Sequence, residues 1–354
     1  MKGIKISVIV PCRDEKEAIG ECIREIKEVL AKENIDGEII VSDSSKDGSR
    51  RIAEDMGAAV AKHDQEGYGV AIREGVENSH GEILAYADGD GTYRFAEIPN
   101  LVRALHDADI VIGSRKMGNI EKGAMPFSHR FIGTPIINAL LLLFFGIKMS
   151  DSQSGFRVLR RKTFDELELK TAGMEFATEM LIKAKKRNLV IKEMPINYFR
   201  RKGASKLRPY RDGFSHVKYI LIQTPISAYL AVGGILLLLG IFGLATGEGI
   251  SPIFATATVR ILLPIFGVQI LFLGLFAKTY LMTRFNETNE SLRKFYARFR
   301  LSSALTLGSL LIGVPVIMKI AGADSSLFDP MLVSTIIGLE TISNSIVLST
   351  LSIK

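Results

Sequence analysis

Apolar and β-branched residues fall into short runs up to about residue 200 and into long ones after it. Ile6–Val10 is a β-branched run closed by Pro11 and predicts a strand. Glu15–Lys32 carries Ala18, Cys22, Ile26, Val29 and Leu30 at helical spacing and predicts a helix. The alternation continues with strands at Glu38–Val41, Ala58–Ala61, Glu82–Ala87 and Asp109–Ile112. Helices are expected at Ser49–Met56, Tyr68–Asn78 and Pro99–Leu105. This order predicts an α/β, Rossmann-like domain with a mostly parallel sheet covered by helices on both faces. Such sheets bind ligands beyond the carboxyl ends of their strands.

From residue 219 onward the pattern changes. Tyr219–Ala245, Phe254–Ala277, Leu301–Ile320 and Met331–Leu351 are each long enough to cross a hydrocarbon core, which takes about 20 residues. The alternative, buried helices of a soluble protein, fits the connecting segments poorly. Lys278–Arg300 holds Lys278, Arg284, Arg293, Lys294, Arg298 and Arg300, whereas Gly247–Ser251 and Gly322–Pro330 carry Glu248, Asp324 and Asp329 and no Lys or Arg. By the positive-inside rule the basic loop and both termini face the cytoplasm. The expected organisation is a cytoplasmic domain over 1–206, a juxtamembrane segment over 207–218 and an all-α domain of four transmembrane helices over 219–354, multi-pass in the cell membrane. Phe131–Ile147 is a fifth apolar stretch, broken by Thr134, Pro135 and Asn138. It predicts a helix lying in the membrane interface; a fully buried core helix is the alternative. Glu340, near Asn344 inside the fourth span, implies a partner, because ionisable groups are costly there. Interspan packing or contact with a second copy would supply one, and a substrate path is a further option.

Composition sharpens this picture. A net charge of +7 suits nucleic acid, anionic lipid or phosphate ligands, and the 47% hydrophobic content with its spans favours the last two over nucleic acid. Met1–Pro11 has too short an apolar run for a secretory signal, and Cys12 and Cys22 show no disulfide pattern, so a reducing compartment is expected. The five histidines show no ligand spacing.

Chemistry-bearing residues follow the strands. Pro11-Cys12-Arg13-Asp14-Glu15 follows the first, Ser42-Asp43-Ser44-Ser45-Lys46-Asp47 the second, and Asp88-Gly89-Asp90-Gly91 the fourth. Singly each is an ordinary turn or helix cap. Two carboxylates around a glycine can hold Mg²⁺ or Mn²⁺ and leave its other positions to phosphate oxygens. Gly67-Tyr68-Gly69, before a helix, could bring backbone N–H groups to a sugar or phosphate.

As a set these motifs resemble glycosyltransferase family 2, of GT-A fold, and within it the polyprenyl- and dolichyl-phosphate hexose synthases. Gly113-Ser114-Arg115, Asp151-Ser152-Gln153-Ser154-Gly155-Phe156-Arg157 and the basic loop Arg200–Leu207 extend the resemblance over roughly residues 4–215. The resemblance implies that Pro11, Arg13, Glu15, Asp43, Gly69, Asp88, Gly89, Arg201, Ser205 and Lys206 bind a nucleotide sugar, UDP- or GDP-hexose. It implies Asp88 and Asp90 as metal ligands for Mg²⁺ or Mn²⁺, with Asp90 and Asp151 catalytic. Ser114, Arg115, Arg130 and Thr134 would receive the phosphate of a polyprenyl (dolichyl) phosphate, and the transfer would be inverting. The chain has Arg13-Asp14 where relatives often carry Tyr-Asn, and Gly91-Thr92 where the metal motif often continues Leu-Gln. Those departures lean toward a UDP-hexose. A polysaccharide synthase would carry a Gln-x-x-Arg-Trp motif, and this chain has no Trp. A non-catalytic membrane scaffold or sugar-nucleotide sensor is the rival of another class; intact Asp88, Asp90, Arg130 and Asp151 speak against it.

Overall fold

The computed structural model describes residues 6–206, 208–246, 256–285, 290–324 and 327–352. The chain forms two compact units, Met1–Ile220 and Leu221–Lys354.

The first unit is built on seven strands: β1 (Ile6–Cys12), β2 (Gly37–Asp43), β3 (Ala59–Lys62), β4 (Ile83–Tyr86), β5 (Ile110–Ser114), β6 (Arg157–Arg160) and β7 (Ile191–Pro195). They lie in the order β3-β2-β1-β4-β6-β5-β7. β1 pairs in parallel with β2 and β4, β2 with β3, and β5 with β7. β6 is antiparallel to both β4 and β5, so the sheet is mixed. The helices of this unit are α1 (Ile19–Lys32), α2 (Ser49–Asp55), α3 (Tyr68–Glu77), α4 (Ile98–Ala104), α5 (Thr134–Phe145), α6 (Arg161–Leu167), α7 (Phe176–Lys186) and α8 (Pro209–Gln223).

A strand covered on both faces must be apolar at every position, not at alternate ones. β1 is apolar except for Ser7, whose buried hydroxyl donates to Glu38 and accepts from the Gly81 N–H: Val8, Val10 and Cys12 enter the core under α1 and α4, while Ile9 enters the core under α3, α5 and α7. α1 buries Cys22, Ile26, Val29 and Leu30 of the stripe that its spacing predicted, and Ile19 and Ile23 beside them.

Three expectations need correction. The helix expected from Glu15 begins at Ile19, because Glu15 is held in the turn that follows β1. The stretch from Tyr219 is not one span: the helix breaks at Thr224-Pro225, and Tyr219 and Ile220 pack in the core of the first unit. Pro225 lacks an N–H and disfavours helix in the residue before it. α8 also makes most of the 207–218 segment helical. Third, α5 is neither wholly interfacial nor wholly buried. Ile137 and Leu141 are core residues, while Ile136, Leu142 and Leu143 are exposed.

The second unit contains α9 (Ile226–Thr246), α10 (Ala257–Phe285), α11 (Glu290–Arg298), α12 (Leu301–Ile320) and α13 (Phe328–Ser352). Four of these, α9, α10, α12 and α13, are long and apolar enough to cross a membrane. Glycines let their backbones meet: a Cβ on Gly233 would lie 2.8 Å from the Gly267 carbonyl, and one on Gly308 2.8 Å from that of Gly338. Asn344 of α13 donates to Gln269 of α10 at 3.1 Å. The expected acidic turn Gly247–Ser251 lies outside the described residues.

Candidate active site

The carboxyl ends of β1, β2 and β4 present one half of the site. Asp43, fully buried, accepts from Arg50 Nε at 2.8 Å and from the Ser45 N–H at 3.2 Å. The turns after β1 and β2 are laced together: Asp14 N–H donates to Ser45 Oγ at 2.8 Å, Lys46 N–H to Asp14 Oδ1 at 2.7 Å and Glu15 N–H to Ser49 Oγ at 2.9 Å. Asp14 takes a left-handed φ of 53°, so this turn fixes Pro11 through Glu15 against β2. Arg13 reaches outward and pairs with exposed Glu66 at 2.7 Å.

Asp88 and Asp90 follow β4. Gly89 between them is a packing requirement, since a Cβ there would stand 2.7 Å from Val10 Cγ1. Asp90 accepts from Thr92 N at 3.0 Å and Thr92 Oγ1 at 2.6 Å through one oxygen, and from Arg201 Nη1 at 3.0 Å through the other. Asp88 accepts no hydrogen bond among the described residues and lies over Gly155, whose Cβ would be 3.0 Å from Asp88 Oδ2. Burial, and then the neighbouring Asp90 charge, push Asp88 up to about 7 against the pull of Arg115 and Arg201. Two hard carboxylates, one without a partner, suit a divalent cation. Among the described residues no cluster of three His, Cys, Asp or Glu forms here, so phosphate oxygens and water would complete the coordination.

The loop after β7 covers these acids. Arg201 bridges Asp90 and Glu15 through its two terminal nitrogens. Lys206 donates to Glu15 Oε1 at 2.8 Å and to the Asp14 carbonyl at 2.7 Å, and Ser205 is exposed beside it. Burial raises the Glu15 carboxyl, and Lys206 and Arg201 offset part of the rise. Glu15, Asp90, Arg201 and Lys206, far apart in sequence, therefore form one charged cluster.

The other half lies at the end of β5. Arg115 donates from Nε and Nη2 to the two oxygens of Asp151, at 2.7 and 2.8 Å, and its backbone N–H adds a bond of 3.1 Å. This fork-to-fork pair has side chains 11% and 0% exposed. Burial raises Asp151, but the Arg115 charge and hydrogen bonds more than reverse this and hold it below the usual carboxylate range. Arg115 also lies 5.2 Å above the Tyr198 ring. Asp151 sits in a turn that is clamped twice. Glu193 of β7 accepts from Ser150 N, Ser150 Oγ and Asp151 N at 2.8, 2.7 and 2.9 Å. Asn138 of α5 donates to the Met149 and Ser150 carbonyls at 3.2 and 2.9 Å. Next to this frame opens a cleft of ≈ 450 Å³ lined by Lys116, Asn119, Ile120, Arg130, Phe131 and Pro135 among others.

Two residues depart from expectation. Gly69 does not offer its N–H to a ligand: it donates to the Ala172 carbonyl at 2.9 Å, and a Cβ would stand 2.3 Å from the Thr171 carbonyl. It is a packing glycine. Ser114 is fully buried, its hydroxyl 2.6 Å from Ser150 Oγ and accepting from Met117 N–H, so it holds the frame and does not face the cleft. Thr134 is buried at the start of α5, while Arg130 is exposed on the cleft rim with its guanidinium 5.3 Å from the Phe131 ring. Lys116, Glu193, Asn138 and Tyr198 did not emerge from the sequence as site residues; only Lys116, beside Gly-Ser-Arg, carried a local signal.

A mixed, mostly parallel sheet with acids beyond β1, β2 and β4 and an Arg–Asp pair beyond β5 defines a GT-A fold. The chain belongs to glycosyltransferase family 2: the profile described as glycosyl transferase family 2 matches residues 7–168. It is 33% identical over 315 residues to the low-salt glycan biosynthesis hexosyltransferase Agl6 of Haloferax volcanii, covering 87% of this chain and 76% of that one. It is 31% identical over 221 residues to the dolichyl-phosphate hexose transferase of the same organism, covering 61% and 92%. Among solved structures, mannosyl-3-phosphoglycerate synthase from Rubrobacter xylanophilus shares the fold with a TM-score of 0.51 at 20% identity, covering 62% of this chain and 73% of that one.

Proposed function

We propose that this membrane glycosyltransferase moves a hexose from a nucleotide sugar to a polyprenyl phosphate, at the cytoplasmic face and with a divalent cation. One observation carries the reading: acids gather beyond β1, β2 and β4, while beyond β5 a buried Arg115–Asp151 pair stands beside a cationic, apolar-walled cleft. The first half suits a metal diphosphate; the second suits an anionic head on an apolar chain. The name of the dolichyl-phosphate hexose transferase relative supports the same pairing.

Asp43 and the laced turns after β1 and β2 would hold the nucleoside. Asp88 and Asp90 would hold Mg²⁺ or Mn²⁺, which when bound neutralises charge on the departing diphosphate. Arg201 and Lys206, now paired with Glu15 and Asp90, carry cations to the same place. Arg115 and Arg130 would bind the acceptor. A phosphate monoester has a second pKa of about 6, so it arrives at neutral pH largely as the dianion. Its oxygen attacks the anomeric carbon as the bond to the diphosphate breaks, and no proton has to be removed. Asp151 therefore orients Arg115, and its depressed pKa keeps it charged for that task.

The test is a panel of UDP- and GDP-hexoses incubated with the purified full chain, Mg²⁺ and a polyprenyl phosphate, followed by mass analysis of the lipid. A glycosylated lipid phosphate that requires the metal and is lost in Asp90→Asn is expected. Nucleotide binding without transfer from any donor would favour a sensor and overturn the proposal.

A further inference from the structure

The cleft beside Asp151 has more cations than the resemblance accounts for. Arg115 is bound on two edges by Asp151, and together they carry no net charge. Lys116 and Arg130 line the cleft, and among the described residues neither forms an ion pair with a carboxylate. His129, the neighbouring titratable group, is pushed down by burial and by Arg115, and so adds no charge near neutral pH. Among the residues that line the cleft, Lys116 and Arg130 are thus two positive charges without a carboxylate partner; the Asp212 carboxylate acts on His129 and forms no ion pair with either. They face a space with Phe131, Pro135 and Ile120 as apolar walls. Burial, together with repulsion from Arg115 and Arg130, holds the Lys116 ammonium below its ordinary value although Asp151 opposes this; an anion in the cleft would relieve that strain.

We infer that Lys116 is a ligand of the acceptor headgroup and that, with Arg130, it selects a dianionic phosphate monoester over a singly charged head. The inference rests on the acceptor reading above and deepens it. A dianion can accept charge-assisted hydrogen bonds from both cations, whereas a monoanion matches only one of the two charges. Lys116 is a point charge on a flexible stem and Arg130 a planar fork, so the lysine supplies charge and the arginine direction. The apolar walls suit the first isoprene unit next to the phosphate.

The probes are a short isoprenyl phosphate and its methyl ester, which is fixed as a monoanion. Binding of each to the full chain in detergent is measured near pH 8 without donor. Wild type should prefer the phosphate. Lys116→Met should lose about tenfold in affinity for the phosphate and little for the ester, the worth of a charge-assisted hydrogen bond. Lys116→Arg should restore most of the preference. Binding of a nucleoside diphosphate measured by calorimetry, unchanged in Lys116→Met, shows that the fold survives. Equal loss of both probes, or no loss of either, overturns the inference, as does a wild type that binds both alike. Wild type that transfers sugar to the lipid phosphate while Lys116→Met behaves normally refutes Lys116 alone. Wild type that binds no isoprenyl phosphate removes the acceptor reading as well.

Discussion

Asp151 and Arg115 are held away from water, so breaking the pair differs from replacing it. Removing one partner of a buried ion pair leaves the other charge unmatched and costs about 3–5 kcal/mol, whereas removing both can be nearly neutral. Asp151→Asn should lower stability by about that amount, and Arg115→Met with Asp151→Asn should be more stable than the single variant. Thermal unfolding of the four members of the cycle measures this, and strictly additive losses would show the two side chains to be energetically independent. The acid limb of residual activity in Asp151→Asn should still follow the acceptor near pH 6, because the phosphate and not the aspartate titrates there. Asp88 behaves oppositely to Asp151. Its folded value of about 7 lies above the unfolded carboxylate value of about 3.9. The folded state then binds the extra proton, so this contribution to stability is present below about pH 4 and is lost as pH rises to about 7. In chelator, wild type should lose stability across that window, Asp88→Asn should lack that component, and Mg²⁺ should restore only the wild type. Identical pH profiles for wild type and Asp88→Asn would mean that the carboxyl is not raised.

At the scale of elements, the strands that were legible are those with a short apolar run in the sequence, β1 to β5, although β3 at the sheet edge buries only Ala61. β6 was not, because Val158 and Leu159 lie between Arg157 and Arg160 and give no run; its antiparallel pairing depends on neighbours distant in sequence. β7 has Lys192 and Glu193 inside it and was passed over for the same reason. The site followed this division. The acids after β1, β2 and β4 could be singled out as candidates because parallel sheets bind ligands beyond the carboxyl ends of their strands. Gly69 misled because a glycine before a helix looks the same whether its N–H meets a phosphate or the Ala172 carbonyl. Ser114 misled because the motif says nothing of which way its hydroxyl turns. Glu193 was invisible because its partners, Ser150 and Asp151, are more than forty residues away. Its three accepted bonds make β7 the brace of the Asp151 turn. Glu193→Gln replaces one accepting oxygen by a donor and should cost about 1–3 kcal/mol. The acceptor KM should rise while donor affinity holds, since the turn serves Arg115 and not Asp88. A matching loss of donor affinity would make Glu193 a general structural residue.

For the whole molecule, hydropathy made four helices of span length legible because a hydrocarbon core demands one uniform length of apolar helix. The entry to the first span was less legible, since Tyr219 and Ile220 are as apolar in a soluble core as in lipid. Orientation is a charge question. The segment from Lys278 to Arg300 carries six cations, whereas Gly322–Pro330, which joins α12 to the start of α13, carries Asp324 and Asp329 with no Lys or Arg. Moving cations across the membrane opposes both the insertion bias and the potential, so the basic segment should stay inside, along with both termini. Cysteine labelling tests this cleanly, because the two native thiols are buried, Cys12 at 2% and Cys22 at 3% exposure, and should react slowly in the folded protein. Asp324→Cys, beyond α12, should react with a membrane-impermeant maleimide added to intact cells. Lys294→Cys, exposed on α11, should react only after the membrane is opened. The acceptor cleft and the acid pair belong to the cytoplasmic side on this orientation, where nucleotide sugars are made, so the labelling bears on the chemistry too. Labelling of Lys294→Cys from outside, with Asp324→Cys protected, would put the nucleotide site on the wrong face and overturn the proposed reaction together with the topology.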